Sequence, residues 1–452
     1  MPVASLISLP AELLQEIGGH WPWDQKNLRT VCRSLRVAIN PLYFSTVTIM
    51  LSGQRPDKGL RQLEAIASGE TSWSTYARTL SISTANYYYG NENLEEEDKN
   101  AFFQRIKQSL GPALASLKHI QTLSWAIRES HDYPEWINNI VLDALPSFSN
   151  LNDLSLSGDL HAVMSRTGLQ GFGQLGNFHK LMLSGTDYVC DKVSANGSLK
   201  ICKAISRSPQ LTTLHLSASS ADFSPVWNIL CIESIHITDL ITSPVTREML
   251  RYLSSYSGLT RLTVNGPVSD VSPSEELALA DAFFLSALTK HAETLVHLSC
   301  SASVEGKWGF TPSNSDVLSH MPRLKTLMTS VNMVDLRQNG DTVELLLDAI
   351  PNLPSLTSII IIPSTLRVSR PVCGGFFANH RIRTSQRIRQ IMRAYRSAVP
   401  LHLVVDAGSR RFEPKLKSDE EGKWWGYEKI SEPDRGRLNI IRIGGAMASD
   451  SE

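Results

Sequence analysis

A glycine-rich hexapeptide is the first candidate for chemistry in this sequence. Residues 171–176 read Gly-Phe-Gly-Gln-Leu-Gly and match the G-x-G-x-x-G spelling of dinucleotide-binding loops. Such a loop works only where a helix begins at its end, because the helix N-terminus holds the phosphate. Here the strand-like run from Phe178 to Leu183 follows almost at once. The sequence therefore predicts a glycine-rich turn and no nucleotide or other cofactor site.

Other catalytic spacings are missing from the sequence. It contains no G-x-x-x-x-G-K-[ST], H-E-x-x-H or G-x-S-x-G. The six cysteines are scattered without a C-x-x-C pair, which is typical of reduced, individually buried thiols. His215 and His236 each lie between two apolar residues of predicted strands. They are expected either to share a pH-sensitive contact on one face or to be ordinary surface histidines. We expect no catalytic residue, no metal ligand and no enzymatic activity.

An arginine-rich segment is the one strong charge feature. Its arginines interleave with apolar residues at helical spacing and predict an amphipathic helix: Arg381, Arg383, Arg387, Arg389, Arg393 and Arg396. One interpretation is a solvated outer helix. The other is a site for an acidic or phosphorylated substrate, since the planar guanidinium matches carboxylate and phosphate. On the second interpretation Arg387, Arg389 and Arg393 are the candidate substrate contacts.

Composition limits the class of protein and of partner. The 452 residues are 42% apolar, and Lys+Arg and Asp+Glu both number 44, so the chain is globular and formally uncharged. A whole-surface attraction to nucleic acid or to an anionic membrane is not predicted, although local patches stay open. The first residues have neither a basic start nor a long apolar run, so we expect no signal peptide, and the apolar tract from Ile359 to Ile362 is too short to span a bilayer. We expect a soluble protein of the cytoplasm, the nucleus or both.

The first fifty residues predict two or three short helices. Leu9, Leu13, Leu14 and Ile17 share one helical face, and Gly18-Gly19 is expected to end that helix. After Asp24, a predicted N-cap, a second helix is expected to carry the apolar stripe Leu28, Val31, Cys32 and Leu35. A third short segment is expected to end at Asn40-Pro41. A cluster of about forty residues buries little surface by itself, so its surplus apolar side chains predict a partner.

These residues carry a resemblance to a known family. The run from Leu9 to Ile17 reads LPAELLQEI, and the run from Leu28 to Leu35 reads LRTVCRSL. Together they resemble the two halves of the F-box, Leu-Pro-x-Glu-Leu-Leu-x-x-Ile and Val-Cys-Arg-x-Leu, over about forty residues. Gly18-Gly19 and Trp21 depart from the family pattern. The resemblance implies docking on a Skp-type adaptor that links to a cullin scaffold, with these contact candidates: Leu9, Pro10, Leu14, Ile17, Leu28 and Val31. The alternative is a helical hairpin that merely starts the array that follows.

A degenerate repeat fills the next part of the chain. An apolar-x-x-apolar-x-apolar core recurs eleven times, for example at Leu151-Leu154-Leu156 and Ile232-Ile235-Ile237. Helical periodicity fills many of the gaps, as in the segment from Phe102 to Leu117. Alternating strands and helices predict an α/β solenoid, and the pattern resembles the irregular leucine-rich repeats of F-box proteins. A doubly wound sheet is the structural alternative, although its central strands would be continuous apolar runs.

The expected fold class is therefore α/β, a short helical F-box followed by an irregular, horseshoe-shaped solenoid. The expected domains are an F-box-like unit at 5–45, a substrate-binding solenoid at 46–406 and a polar, partly disordered extension at 407–452. The function that the resemblance implies is that of a substrate-recognition adaptor in a Skp–cullin–F-box-type ubiquitin ligase. Its partners would be the Skp-type adaptor, the cullin scaffold and an unknown protein substrate, and not nucleic acid or membrane. The alternative is a repeat-based interaction scaffold without a ligase link.

Overall fold

The computed structural model describes most of the chain and all the residues singled out above as docking or substrate contacts. The described residues are 9–51, 56–83, 96–127, 134–158, 171–185, 195–217, 222–266, 271–302, 305–336, 342–365, 374–419 and 422–430. They form an α/β fold with fourteen strands, mostly parallel and open. The chain divides into two compact units, Met1–Leu211 with Ser220–Val226, and Thr212–Ser219 with Trp227–Glu452.

The first unit begins with helices and continues with alternating helices and strands. Its helices are α1 (Ala11–His20), α2 (Gln25–Val31), α3 (Arg33–Tyr43), α4 (Pro56–Ala67), α5 (Ser72–Tyr76), α6 (Glu96–Ser116), α7 (Trp136–Ala144) and α8 (Ala195–Ser206). Its strands are β1 (Thr46–Met50), β2 (Thr79–Ser83), β3 (Thr122–Ile127), β4 (Asp153–Gly158) and β5 (Lys180–Gly185). The five strands pair in parallel in the order of the sequence.

Apolar side chains form two ladders across these five strands. One ladder joins Val47, Leu80, Leu123, Leu154 and Leu181, which pair in register and are fully buried. The next ladder, two residues along each strand, includes Trp125 and Leu156 and is also buried. Successive side chains of a strand point to opposite faces, so these ladders place one face of the sheet in the core. The predicted strand cores in this part of the chain are confirmed.

The second unit repeats the same arrangement. Helix α9 (Ser224–Ile232) contains the division between the units. The helices that follow are α10 (Arg247–Ser254), α11 (Pro273–Ala282), α12 (Ser315–Ser319), α13 (Thr342–Ala349) and α14 (Gly374–Ala394). The strands are β6 (Thr213–Ser217), β7 (Asp239–Ser243), β8 (Arg261–Asn265), β9 (His297–Ser301), β10 (Thr326–Val331), β11 (Ser358–Pro363), β12 (Val404–Ala407), β13 (Arg410–Asp419) and β14 (Gly422–Lys429).

One predicted strand of this unit is wrong. The pattern Ile232-Ile235-Ile237 predicted a strand there, but β7 starts at Asp239. The register pairs Leu240 of β7 with Leu214 and Leu262 of its neighbours, and Thr242 occupies the next inward position with 1% of its surface exposed. The sequence pattern does not reveal this strand, because Thr242 occupies the last buried position, where the pattern requires an apolar residue.

The carboxy-terminal segment also differs from the expectation. Residues 407–452 were predicted as a polar extension, partly disordered, whereas β13 and β14 form an antiparallel hairpin that pairs with β12. Phe412 and Tyr427 of this hairpin are buried. Their burial explains why these otherwise polar strands are part of the fold. Residues 431–452 lie outside the described part of the chain.

Candidate functional site

The N-terminal helices hold together through a very small core. Leu14 of α1 packs with Leu35 and Ala38 of α3, and Leu9 and Cys32 lie partly buried against them. Cys32 has an extended backbone, which separates α2 from α3. The sequence stripe from Leu28 to Leu35 is therefore divided between two helices and does not form one continuous helix as predicted.

Gly18 lets α1 approach α3 closely. A Cβ atom at position 18 would overlap Cδ1 of Ile39, whose side chain is fully buried. Helix α1 runs through Gly18 and Gly19 to His20, so the prediction that this pair ends the helix is wrong. The carbonyl of Gly18 also accepts a hydrogen bond from the Nε2 amide of Gln25, at 3.1 Å. The departure from the F-box pattern at position 18 thus has a packing role.

Many apolar side chains of this cluster face solvent. Trp23 is 89% exposed and Val31 is 68% exposed. We name the exposed apolar set by its members: Leu13, Ile17, Trp21, Trp23, Val31 and Val37. These six are among sixteen large exposed hydrophobic side chains in the described residues, although they span only 25 positions. Such a concentration is typical of an interaction surface.

The six predicted docking residues separate into two groups. Leu14 is 3% exposed and belongs to the core, and Leu9 and Leu28 are half-buried. Pro10, Ile17 and Val31 are exposed and available to a partner, with Pro10 immediately before the first residue of α1. Sequence reasoning missed Trp23, whose aromatic side chain at an exposed position is a signal for an interface.

Arg29 joins the helical cluster to the first strand–helix unit. Its guanidinium lies 4.2 Å from the ring centroid of Tyr43 and 4.3 Å from that of Phe44. Its Nε donates a 2.7 Å hydrogen bond to Oδ1 of Asn40. Phe44 in turn packs edge-on against Trp73 of α5, with ring centroids 5.2 Å apart. Cation–π and aromatic contacts therefore continue from α2 into the unit that starts with β1.

The arginine-rich segment forms α14 as far as Ala394, so that Arg396 lies beyond the helix. The three candidate substrate contacts of the helix differ in their surroundings. Arg387 is half-buried and its Nε donates to the carbonyl of Leu336 at 3.4 Å. Arg389 is half-buried and its Nη1 donates to the carbonyl of Gly408 at 2.8 Å. Arg393 is exposed. Arg387 thus has a structural contact, whereas Arg389 and Arg393 lie one helical turn apart on one face.

Positive charges converge on Arg389. Burial, followed by the neighbouring charges of Arg410 and Arg393, lowers the pKa of its guanidinium. Arg410 starts β13, directly after the two-residue turn Gly408-Ser409. A Cβ at Gly408 would overlap the carbonyl oxygen of Ser385, so this turn packs tightly on α14. We name Arg389, Arg393 and Arg410 the arginine cluster.

Of the two interpretations of His215 and His236, the shared pH-sensitive contact does not form. His215 is buried on β6, whereas His236 lies before β7, is exposed, and stacks on Tyr256 with ring centroids 4.9 Å apart. His291 is fully buried and bonded through both ring nitrogens, to the backbone N–H of Leu259 and the carbonyl of Leu253. Its burial lowers its pKa to about 4. These histidines have packing surroundings and do not form a common site.

The glycine-rich hexapeptide is a packing turn. A Cβ at Gly176 would overlap Arg207, and β5 follows at Lys180. No helix begins at the end of the hexapeptide, so the arrangement that binds a phosphate is missing here. Within the described residues, no group of three or more His, Cys, Asp and Glu side chains could hold a metal ion. In the same residues, no helix is both long and apolar enough to cross a bilayer.

A cavity of about 300 Å³ lies between α10 and α11. Leu250 and Leu279 line it together with small residues, and Arg247 and Arg251 stand beside them. Arg247 pairs with Glu275, with Nη2 and Oε1 3.1 Å apart, and Arg251 bonds to Asn228. Both guanidiniums are therefore engaged within the protein, and the cavity offers mainly apolar contact.

Comparison with known proteins adds no family to this description. No family model matches the chain, and no curated protein matches it.

Proposed function

We propose that this protein is the substrate-recognition adaptor of a Skp–cullin–F-box-type ubiquitin ligase. In this proposal α1 to α3 are the F-box that docks on a Skp-type adaptor, and the adaptor links the protein to a cullin scaffold. The strand–helix units after Phe44 are an irregular leucine-rich-repeat-like solenoid that binds the target protein. The chain supplies no catalytic group, because holding a target lysine near a conjugating enzyme raises the reaction rate by proximity.

The observation that carries the proposal is the exposed apolar set. A cluster whose own core is Leu14, Leu35 and Ala38 leaves Ile17, Trp23 and Val31 in solvent. Aromatic and aliphatic anchors of this kind are the side chains that dominate protein–protein binding energy when a partner covers them. Ile17 and Val31 lie within the two F-box-like runs of the sequence, and this resemblance indicates a Skp-type adaptor as the partner.

The strand order supports the solenoid half of the proposal. In each unit the strands follow one another in the order of the sequence, with parallel pairing throughout β1 to β5 and from β6 to β12. A doubly wound sheet reverses its order at a switch point. Sequential order with each apolar ladder buried between neighbours is the arrangement of repeat proteins.

Co-purification tests the proposal. The full chain should capture a Skp-type adaptor, and the double variant Ile17→Asp/Val31→Asp should lose that capture, because two exposed anchors become charged. Both positions are exposed, so the substitutions do not disturb the core that contains Leu14. Leu277→Asp/Leu416→Asp is the matched control, since both leucines are exposed elsewhere in the chain.

The outcomes separate the two candidate functions. Capture that only the N-terminal variant loses supports the ligase adaptor. A folded wild-type chain that captures no Skp-type adaptor contradicts it and leaves the interaction scaffold without a ligase link. Circular dichroism of all three proteins establishes that each is folded.

A further inference from the structure

We infer that the edge of β1 that faces away from β2 binds an extended, uncharged segment of another protein, which adds to the sheet as a further strand. The inference deepens the proposed function, on which it rests for identifying that segment as part of the substrate. It names a class of substrate segment, namely a stretch whose backbone is not already paired within the substrate's own fold.

The backbone of β1 is paired on one side only. β1 is the first strand of the sheet and pairs in parallel with β2. The carbonyl of Ser45 and the N–H of Leu51 both bond to residues of β2, and backbone groups of successive residues point alternately to the two sides of a strand. The backbone groups of Thr46 and Thr48 therefore point away from β2. Within the described residues, they form no hydrogen bond on that side.

The first part of this edge is accessible. Thr46 and Thr48 are exposed, whereas Val47 between them is fully buried. At the far end α4 lies against the strand, since a Cβ at Gly59 would be 2.9 Å from the carbonyl oxygen of Met50. The accessible edge thus offers the N–H and C=O groups of Thr46 and Thr48, which have the spacing that a neighbouring strand requires.

β1 lacks the features that commonly protect an edge strand, which are charged residues, proline, bulges or a covering segment. It reads Thr-Val-Thr-Ile-Met, with no charge, no proline and no glycine. The strand at the other end of the sheet, β14, has such protection. Trp425 exchanges two hydrogen bonds of 2.8 Å with Ser397, and Lys423 and Lys429 stand on the same strand. The two terminal strands of the described sheet therefore differ, and β1 is the one with the unprotected edge.

An extended protein segment is the occupant that this edge fits. Strand addition satisfies the backbone groups of Thr46 and Thr48 through main-chain hydrogen bonds, and side chains at alternate positions give selectivity. On the exposed face the added side chains lie beside these two threonines, and on the other face they lie beside the apolar ladder that starts at Val47. Uncharged β-branched residues suit both faces, because β1 offers no charged side chain to pair with.

A second copy of this chain fits the edge less well. Two five-residue edges side by side bury roughly a few hundred Å², whereas stable protein–protein interfaces bury about 1,200–2,000 Å². A small interface instead suits a substrate that leaves the ligase after modification, as the proposed function requires.

Peptide binding to the full chain tests the inference. The first probe is a pool of short fluorescein-labelled peptides in which threonine alternates with valine, isoleucine or leucine chosen at random. The second pool has the same side chains, but every backbone nitrogen is methylated, which removes all the main-chain donors. We expect the first pool to bind and the second pool not to bind, because strand addition depends on main-chain hydrogen bonds.

Thr48→Pro and Thr48→Val form a matched pair of variants. Proline lacks the outward N–H and its ring occupies the space of an added strand, whereas the pairing of β1 with β2 does not use that N–H. Thr48→Pro should weaken binding of the first pool at least about tenfold, since a main-chain hydrogen bond is lost and its neighbours are hindered. Thr48→Val keeps the N–H and should change the affinity less than about twofold.

A second matched pair covers the case in which proline disturbs the fold of β1. Thr46→Lys/Thr48→Lys places two charges on the edge, which opposes the addition of a strand. Thr79→Lys/Ser81→Lys places the same charges at the paired positions of β2, one strand away from the edge. The first double variant should bind the first pool at least about tenfold more weakly than the second. Circular dichroism establishes that each variant is folded.

Any of four results would overturn the inference. These are no preference of the wild-type chain for the first pool, equal affinities of a folded Thr48→Pro protein and of Thr48→Val, equal affinities of the two lysine variants, and a wild-type dimer in light scattering that Thr48→Pro makes monomeric. The last result would assign the edge to a second copy. Capture of the Skp-type adaptor is measured on the same proteins and reports on the ligase proposal alone, since none of these substitutions changes α1 to α3.

Discussion

Gly18 of α1 lies against Ile39 of α3 with no room for a side chain between them. Gly19, the next residue, is exposed, and a Cβ there would meet nothing within 4 Å. Two consecutive glycines of one helix therefore have opposite surroundings, which makes them a matched pair for testing how the helical cluster is packed.

Gly19→Ala should stabilise α1 by about 0.5–1 kcal/mol, because alanine loses less conformational freedom in a helix than glycine does. Gly18→Ala gains the same helix propensity but must displace Ile39. The Gly18→Ala protein should therefore be less stable than the Gly19→Ala protein by at least about 1 kcal/mol. Hydrogen exchange of the α1 and α3 amides measures both. Equal protection in the two variants would mean that α1 and α3 are not packed as described.

Leu14 and Val31 should respond to substitution in opposite ways. Leu14→Ala removes a buried side chain from the small core and should cost about 2–4 kcal/mol of cluster stability. Val31→Ala truncates an exposed side chain and should change stability by less than about 0.5 kcal/mol, while weakening adaptor capture. Hydrogen exchange of α3 together with co-purification distinguishes the two effects. A Val31→Ala protein that loses protection and captures adaptor normally would reverse the assignment.

His291 should make stability depend on pH below neutrality. Its pKa is about 4 in the folded state and near the ordinary 6.5 in the unfolded chain, so between these values the unfolded state binds more protons. Stability is therefore complete above pH 6.5 and falls as the pH decreases towards 4. From pH 7.5 to pH 5 the loss should be about 2 kcal/mol.

His291→Gln is the variant that isolates this contribution. It should be less stable than wild type at pH 7.5 but should lose about 2 kcal/mol less on acidification, because glutamine does not titrate. Urea unfolding, monitored by hydrogen exchange of the β8 and α10 amides at both pH values, measures how much stability each protein loses on acidification. Identical pH slopes for the two proteins would show that His291 is not held neutral by burial.

The described cysteines should react with iodoacetamide in a fixed order. Burial raises the pKa of Cys202 to about 11 and raises that of the fully buried Cys300 further, so neither thiol forms the reactive thiolate readily. Cys32 and Cys231 are half-exposed and should be modified first. Mass spectrometry of timed samples at pH 8 measures the order, and early modification of Cys300 in the folded protein would contradict the burial of β9.

The buried strand positions could be predicted from the sequence, because inward side chains must alternate and must be apolar. Leu154 and Leu156 show this rule in its simplest form. The rule fails at β7, where Thr242 is buried, and at β13, where Phe412 is the apolar side chain among charged neighbours. Local pattern does not reveal such strands, since their burial depends on the neighbouring strand and helix.

The candidate sites could be predicted only in part. The residue types of the helical cluster and of α14 indicated binding, but the sequence could not show that Leu14 lies in the core or that Arg387 bonds to Leu336. Arg410 follows Arg396, the last arginine of the segment, by fourteen residues, so the sequence alone does not place it beside Arg389. Its proximity to Arg389 depends on the turn at Gly408, which only the fold provides.

The stacking of Arg29 on Tyr43 and Phe44 has a consequence for how far the proposed ligase can reach. Only Phe44 and Ser45 separate α3 from β1, and the carbonyl of Ser45 accepts hydrogen bonds from the backbone of Arg78 and Thr79, at 2.8 and 3.0 Å. These contacts hold the helical cluster directly against the first strand, with only two residues between α3 and β1. Inserting four glycines after Ser45 should preserve adaptor capture but spread ubiquitin over more lysines of a bound target. An unchanged set of modified lysines would mean that the geometry is determined elsewhere in the assembly.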